Sequence, residues 1–207
     1  MPKKALVVLP NTTILPDYDA DIVICADSGY EIALSSGLKV DLIIGDMDSI
    51  RPQLLDEARK NGVEVLEYPV DKDLSDGELA VLKAKELGAG ELLVLGGRLG
   101  RVDHFLTSLL LPLLFIDGPE VKCMIDDEVC VLVKEGQTKE ISGEYRLFSL
   151  IPLSSGCRIS VTGAKWDLDY ELLPMGTTRG IHNEALVPGT RMICHKGTVL
   201  LVMSNRD

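Results

Sequence analysis

Two acidic segments and one glycine-rich segment carry the chemistry that this sequence offers. "GDMDS" (45–49) places Asp46 and Asp48 one residue apart, directly after an apolar run. "DKDLSD" (71–76) supplies Asp71, Asp73 and Asp76 with Lys72 among them, and "GGRLGRVDH" (96–104) supplies Arg98, Arg101, Asp103 and His104. Crowded carboxylates repel one another unless a cation offsets them. Mg²⁺ does this with one or two carboxylates, keeping its other positions for water and substrate phosphates. The glycines at 96, 97 and 100 let backbone amides approach a phosphate closely. The planar guanidinium of Arg101 spreads charge from phosphate oxygens. Metal, phosphate and in-line transfer form a coherent set, because phosphoryl-type chemistry is mainly positioning and charge stabilisation. Each segment alone has a plainer use. A D-x-D after a strand also suits a turn and helix cap, and Ser49 is placed to cap the helix that follows. DKDLSD suits a loop into a capped helix, and GGRLG matches neither the P-loop nor the G-x-G-x-x-G pattern.

The elements around these segments explain how they could meet. Short β-branched runs at 4–9, 21–26, 41–45, 63–68, 91–96 and 121–125 predict strands, and helical patterns lie near 28–36, 50–61, 76–87 and 103–115. Continuous apolar strands separated by helices predict a mostly parallel, Rossmann-like sheet covered on both faces. Ser75 and Glu78 form a possible capping box, and Gly37, Gly62 and Gly88 stand where helices should close. In an open parallel sheet, ligands bind outside the carboxyl ends of the strands. Asp27 ends the second run, Asp46 and Asp48 follow the third, DKDLSD the fourth and GGRLGRVDH the fifth. All should therefore gather along one edge. After about residue 127 the helical period gives way to "EVCVLV", "YRLFSLIPL", "CRISVTGA", "TRMICHKG" and "TVLLVMS". These predict a small all-β sandwich or barrel. The expected division is an α/β domain over 1–127 and a β domain over 128–207.

Composition narrows the partners. With 32 acidic against 21 basic side chains in 207 residues, the net charge of −11 opposes non-specific binding to nucleic acid or anionic lipid. The five cysteines are widely spaced with no C-x-x-C pair, which points to reduced thiols in a cytoplasmic protein. The apolar run near the N-terminus is too short for a signal-peptide core. The longest apolar stretch, 105–116, is too short to span a bilayer and contains Pro112. No membrane association is expected.

In their order, "ADSG" (26–29), "DLIIGDMDSI" (41–50), "DKDLSD" (71–76), "GGRLGRVDH" (96–104), "GAKWDL" (163–168) and "TRGIHNE" (178–184) resemble the thiamine pyrophosphokinase family. The resemblance spans nearly the whole chain. It implies an N-terminal α/β domain, a C-terminal thiamine-binding β domain and a homodimer with the thiamine site at the subunit interface. It implies transfer of the terminal diphosphate of ATP to the hydroxyethyl group of thiamine, giving AMP and thiamine diphosphate, with Mg²⁺ as cofactor. Carried over by position, Asp46 and Asp48 resemble the first carboxylate pair of the metal and diphosphate site. Asp71, Asp73 and Asp76 resemble its second acidic segment, with Lys72 near the phosphates, so the implied metal ligands are Asp46, Asp48, Asp71 and Asp73. Arg101 falls on phosphate, and Asp103 falls near the thiamine hydroxyl or the metal. Trp166 resembles the tryptophan that stacks on thiamine, and Asn183 the asparagine of a Ser-Asn pair in the thiamine pocket. Asp27, Ser49, Ser75, Gly97, Arg98, His104 and His182 complete the implied binding positions. A primary alcohol is a poor nucleophile at neutral pH and needs a group to orient or deprotonate it. Asp103 and Asp73 are both candidates for that part. The chain departs from the family pattern at His182, where serine is usual, at Ser108, where asparagine is common, and at Leu99 within the glycine-rich loop. These departures bear on the acceptor rather than on the phosphate apparatus. They leave two alternatives: a diphosphotransferase acting on another small heterocyclic alcohol or water, and a non-catalytic nucleotide- or thiamine-binding protein.

Overall fold

The structure is a computed structural model that describes residues 2–115, 118, 120–141, 144–186 and 188–205. The chain forms two compact units, Met1–Asp126 and Asp127–Asp207.

In the first unit the strands are β1 (Lys3–Val8), β2 (Ile22–Ala26), β3 (Leu42–Gly45), β4 (Glu64–Glu67), β5 (Ala89–Gly96) and β6 (Glu120–Ile125). The helices are α1 (Gly29–Ser35), α2 (Pro52–Lys60), α3 (Asp76–Glu86) and α4 (Val102–Leu110). The strands lie in the order β6-β5-β1-β2-β3-β4, and each neighbouring pair is parallel. The central strands are buried on both faces, which is why they read as unbroken apolar runs. Alternate side chains then sort the helices. Leu6, Val8, Val23, Cys25, Ile43, Leu93 and Leu95 share one core with Tyr30 and Ala33 of α1 and Leu55 and Ala58 of α2. Helix α3 packs on β1, β2, β3 and β5 through Ala80, Val81 and Ala84, outside that core cluster, and so covers the opposite face. Each fully buried aliphatic side chain in such a core contributes about 1.5–3 kcal/mol. Strand β4 is polar at both ends and stands at the sheet edge.

Local signals act much as the sequence indicates. Gly37, Gly62 and Gly88 each follow a helix end with φ between 73° and 83°. Ser75 caps α3, its hydroxyl accepting the Glu78 N–H at 3.2 Å. The predicted helix over 103–115 is instead α4 followed by a 3₁₀ segment, Leu111–Phe115. Pro112 lacks the N–H that an α-helix would need there. The N-cap of α2 is Arg51, followed by Pro52, and not Ser49, whose hydroxyl turns to Asp48.

The second unit carries β7 (Glu128–Lys134), β8 (Thr138–Glu140), β9 (Leu147–Pro152), β10 (Cys157–Thr162), β11 (Leu168–Leu173), β12 (Asn183–Glu184), β13 (Arg191–Lys196) and β14 (Thr198–Ser204). Strands β12-β9-β14-β7 pair antiparallel, and β11-β10-β13-β8 form a second antiparallel sheet. Val131, Phe148, Leu150 and Leu201 from one sheet and Ile159, Val161, Leu173 and Met192 from the other belong to one buried cluster. That shared core makes the unit a sandwich. Strands β8, β11 and β12 have no counterpart in the sequence reading. They are short or charged, and β11 is interrupted by Tyr170 at φ 48°.

Candidate active site

In the first unit the chain runs outward from β1 through β2 and β3 to β4, then returns to β5 on the other side of β1. The carboxyl ends of β1 and β5 therefore flank the point where the strand order reverses, the place where open α/β sheets leave a crevice. A cleft of about 540 Å³ opens there. Its walls come from the loops after β1 (Asn11), β2 (Asp27, Ser28), β3 (Asp46, Asp48, Ser49), β4 (Lys72, Ser75, Asp76) and β5 (Gly100, Arg101), with His104 of α4.

The carboxylates converge at the ends of β2 and β3. Asp27, Asp46 and Asp48 each bring one oxygen within 4.8 Å of the others. Two of the residues that make this turn are left-handed, Asp27 at φ 43° and Met47 at φ 64°. At Gly45 an added Cβ would stand 3.2 Å from both the Asp27 Cβ and the Asp76 carboxylate, so only glycine lets the two acids close over the strand end. Asp27 is 6% exposed and its Oδ1 has no hydrogen-bond partner. Burial pushes its carboxyl above the ordinary range. The Ser49 hydroxyl and the Ser28 backbone pull it part of the way back, and Asp76 and Asp48 add to the rise.

Asp46 is engaged at both oxygens. Oδ1 accepts the Asp48 N–H at 3.3 Å, and Oδ2 lies 3.3 Å from the Lys72 ammonium. Burial pushes its carboxyl up, but the Asp48 backbone and the Lys72 ammonium together hold it below the ordinary value. Lys72 also pairs with Asp76 at 3.2 Å, and these two acids raise its proton affinity against the opposing effect of burial. An orphaned buried oxygen among converging hard donors fits a small divalent cation such as Mg²⁺.

The glycine-rich loop is held from the β1 side. The Asn11 amide donates to Gly97 O at 2.5 Å, the Thr12 hydroxyl to Leu95 O at 2.9 Å and the Thr13 hydroxyl to Asp126 Oδ1 at 2.5 Å. A Cβ at Gly97 would meet Asn11 O at 2.1 Å, so the two chains approach as only glycine permits. Arg98 lies 3.7 Å from Asp126. At the start of α4, Arg101 and Asp103 form an exposed pair at 2.6 Å, and Asp103 Oδ1 accepts the His104 N–H at 3.0 Å. The Arg101 guanidinium holds the Asp103 carboxyl down at about 2.

In the second unit, Trp166 is 51% exposed, with the Lys165 ammonium 4.7 Å from its ring centre. Asn183 is buried beside it. His182 is exposed at φ 60°, and its N–H donates to Ser149 Oγ at 3.0 Å. Glu184 accepts from Lys165 at 2.6 Å and Arg146 at 3.2 Å, and these cations, Lys165 first, hold its carboxyl below the ordinary range.

The structure thus brings Asp27, Asp46, Asp48, Ser49, Lys72, Ser75, Asp76, Arg101 and His104 to one cleft, and leaves Asp71 and Asp73 outside its lining. In the irregular segment before α3, Val70, Lys72 and Leu74 line the cleft while Asp71 and Asp73 are exposed. Gly97 and Asp103 adjoin the cleft through bonded neighbours, Arg98 pairs with Asp126 outside its lining, and Trp166, His182 and Asn183 lie together in the second unit. Sequence reasoning missed Asn11 and its neighbours. Their only signal was a polar triplet, Asn11-Thr12-Thr13, directly after the first apolar strand.

Comparison with known proteins gives this arrangement its context. The profile described as "Thiamin pyrophosphokinase, catalytic domain" matches residues 18–124, and that described as "Thiamin pyrophosphokinase, vitamin B1 binding domain" matches residues 134–193. Thiamine pyrophosphokinase of Bacillus subtilis is 27% identical over 207 residues, covering 95% of this chain and 93% of that protein. Thiamine pyrophosphokinase 1 of Oryza sativa subsp. japonica is 30% identical over 149 residues, which is 67% of this chain and 56% of the rice protein. The crystal structure of the Bacillus subtilis enzyme superposes with a TM-score of 0.86 at 25% identity, covering 98% of this chain and 99% of that one. With one profile spanning most of the first unit and a second spanning most of the sandwich, the chain belongs to the thiamin pyrophosphokinase family.

Proposed function

We infer that the protein is a thiamine pyrophosphokinase, which transfers the diphosphate of ATP to the hydroxyl of thiamine and releases AMP. The observation that carries the chemistry is the convergence of Asp27, Asp46 and Asp48, with an unpartnered buried oxygen, in a cleft at the strand-order reversal. In this reading Asp27, Asp46 and Asp48 hold Mg²⁺, which supplies charge stabilisation to the diphosphate in flight. Lys72 and Arg101 line the same cleft and offer donors to phosphate oxygens. Backbone amides near Gly97 and Gly100 complete the anion cradle. Asp71 and Asp73 stand outside it as solvated charges. Asp103, held ionised by Arg101, is a weak base. It serves to accept a hydrogen bond from the acceptor hydroxyl and orient it rather than to take its proton.

Trp166 presents an open indole face suited to a cationic aromatic ligand, which supports the thiamine side of the reading. A homodimer with the thiamine site at the subunit interface fits the exposed residues Leu99, Val102, Leu106, Leu110 and Leu114, spaced three or four apart along α4 and its flanks. Among the described residues no helix is long and apolar enough to cross a membrane, and the five cysteines are buried thiols, which suits a reducing cytoplasm. Incubation with thiamine, ATP and Mg²⁺ tests the reading. AMP and thiamine diphosphate should appear in equal amounts. ADP with thiamine monophosphate would replace the diphosphoryl reaction with a monophosphoryl one.

A further inference from the structure

The Lys72 ammonium is already engaged by the protein itself. It donates to Asp46 Oδ2 at 3.3 Å and to the Pro69 carbonyl at 3.3 Å and forms an ion pair with Asp76 at 3.2 Å, and its side chain is only 14% exposed. Asp46 is also one of the three acids that converge beside the orphaned Asp27 oxygen. The carboxylate that a divalent ion would use is therefore already engaged by a cation carried on the chain.

We propose that Lys72 is a tethered counter-ion: it neutralises the carboxylate cluster while no divalent ion is bound, and leaves Asp46 for the cleft when one binds. The proposal rests on the reading of Asp27, Asp46 and Asp48 as the metal site. Four carboxylates gathered at one end of the sheet, Asp27 among them buried, are unfavourable without a positive partner, and the lysine supplies it. A divalent ion on Asp46 would stand close to the ammonium and repel it. Lysine suits an exchange of this kind, because its charge is compact and rides on a flexible stem. An arginine fork would bind the carboxylate in a fixed plane. Released from Asp46 and still near Asp76, the ammonium lines the cleft where phosphate oxygens would accept its hydrogen bonds. One side chain thus stabilises the metal-free cluster and then serves the phosphates.

Mn²⁺ titration of the nucleotide-free protein, read by electron paramagnetic resonance, tests this without any turnover. Lys72→Met should bind Mn²⁺ about tenfold more tightly than the wild type, because a competing state has been removed. Its metal-free melting temperature should fall. Lys72→Arg keeps a cation and should gain less. Unchanged or weaker Mn²⁺ binding by a folded Lys72→Met protein overturns the proposal. If that variant does not fold, lysine-selective NMR of the wild type decides. A Lys72 resonance that moves in step with Mg²⁺ occupancy supports the exchange, and one that is unmoved at saturation overturns it. Asp48→Asn separates the two readings. If it binds Mn²⁺ as the wild type does, the metal site is misassigned and the proposal falls with it. If it loses Mn²⁺ while Lys72→Met gains nothing, only the role of Lys72 fails.

Discussion

Trp166 and Asn183 grip one another through a reciprocal pair of hydrogen bonds: the Trp166 N–H donates to Asn183 Oδ1 at 3.2 Å, and Asn183 Nδ2 donates to Trp166 O at 2.8 Å. The same Oδ1 accepts the Glu184 N–H at 2.9 Å. One buried amide therefore fixes the backbone beneath an exposed indole. Asn183→Ala strands these backbone groups and should cost about 1–3 kcal/mol. Trp166 is the chain's single tryptophan, so its fluorescence anisotropy reports the consequence directly. Anisotropy should drop, and thiamine should bind more weakly. An indole as rigid as the wild type's would show that Asn183 does not hold it.

Gly97 meets Asn11 where no side chain fits. Gly97→Ala would drive its Cβ into Asn11 O, a backbone atom that cannot swing aside. The expected cost is about 1–3 kcal/mol of stability, with a larger loss in ATP affinity than in thiamine affinity because the loop that shifts is the proposed anion cradle. Denaturant titration and binding measurements on the same preparation check both halves. Equal losses for both ligands would mean general disorder instead of a displaced loop.

The strand ends were legible in the sequence because central parallel strands must be apolar on both faces, so each acidic interruption marks an end. That logic located Asp27, Asp46, Asp48 and the 96–104 loop. It could not order the strands. Asn11 became visible as part of the cleft only once β5 was seen to return beside β1. Nor could it assign faces within an irregular segment. The three acids of 71–76 look equivalent in sequence, yet only Asp76, fixed in the first turn of α3, faces the cleft. Strand β11 stayed hidden because its buried residue, Leu173, falls in phase with the charged Asp169 and Glu171 and not with the apolar positions of "LDYEL", and its backbone turns left-handed at Tyr170.

Glu184 gives the sandwich an acid-side dependence. Lys165 and then Arg146 hold its carboxyl below the ordinary value of 4.5 in the folded state. A depressed folded value means the pairs stabilise the fold above the unfolded value and are lost as pH falls through the folded one. Glu184→Gln should therefore melt about 1–3 °C below the wild type at pH 7, with the gap closing as pH falls below the ordinary carboxylate range. Thermal melts across that range check it. A gap that persists in acid would point to the shape of the side chain rather than its charge.

In the proposed homodimer, the exposed apolar stripe of α4 forms the contact. Leu106 and Leu110 lie one turn apart on an exposed face of the helix, so a charge at either position meets no core. Leu106→Glu should leave the monomer folded and shift sedimentation from dimer to monomer. A wild-type protein that sediments as a monomer would end the dimer reading.

Asp27 concentrates an electrostatic cost at the end of β2. Its carboxylate is buried with one oxygen unpartnered, while Asp76 and Asp48 nearby carry the same charge. Asp27→Asn keeps the shape and removes the charge. The metal-free variant should then melt about 2–5 °C above the wild type, because a buried charge with one unpartnered oxygen has gone. Addition of Mg²⁺ should reverse the order. The wild type gains stability in proportion to occupancy of the site, and the variant, short of one anionic donor, gains little. Differential scanning calorimetry with and without Mg²⁺ reads both effects in one experiment. A variant that is destabilised without metal would show that Asp27 holds the fold together, and a full Mg²⁺ response in the variant would remove Asp27 from the cation's ligands.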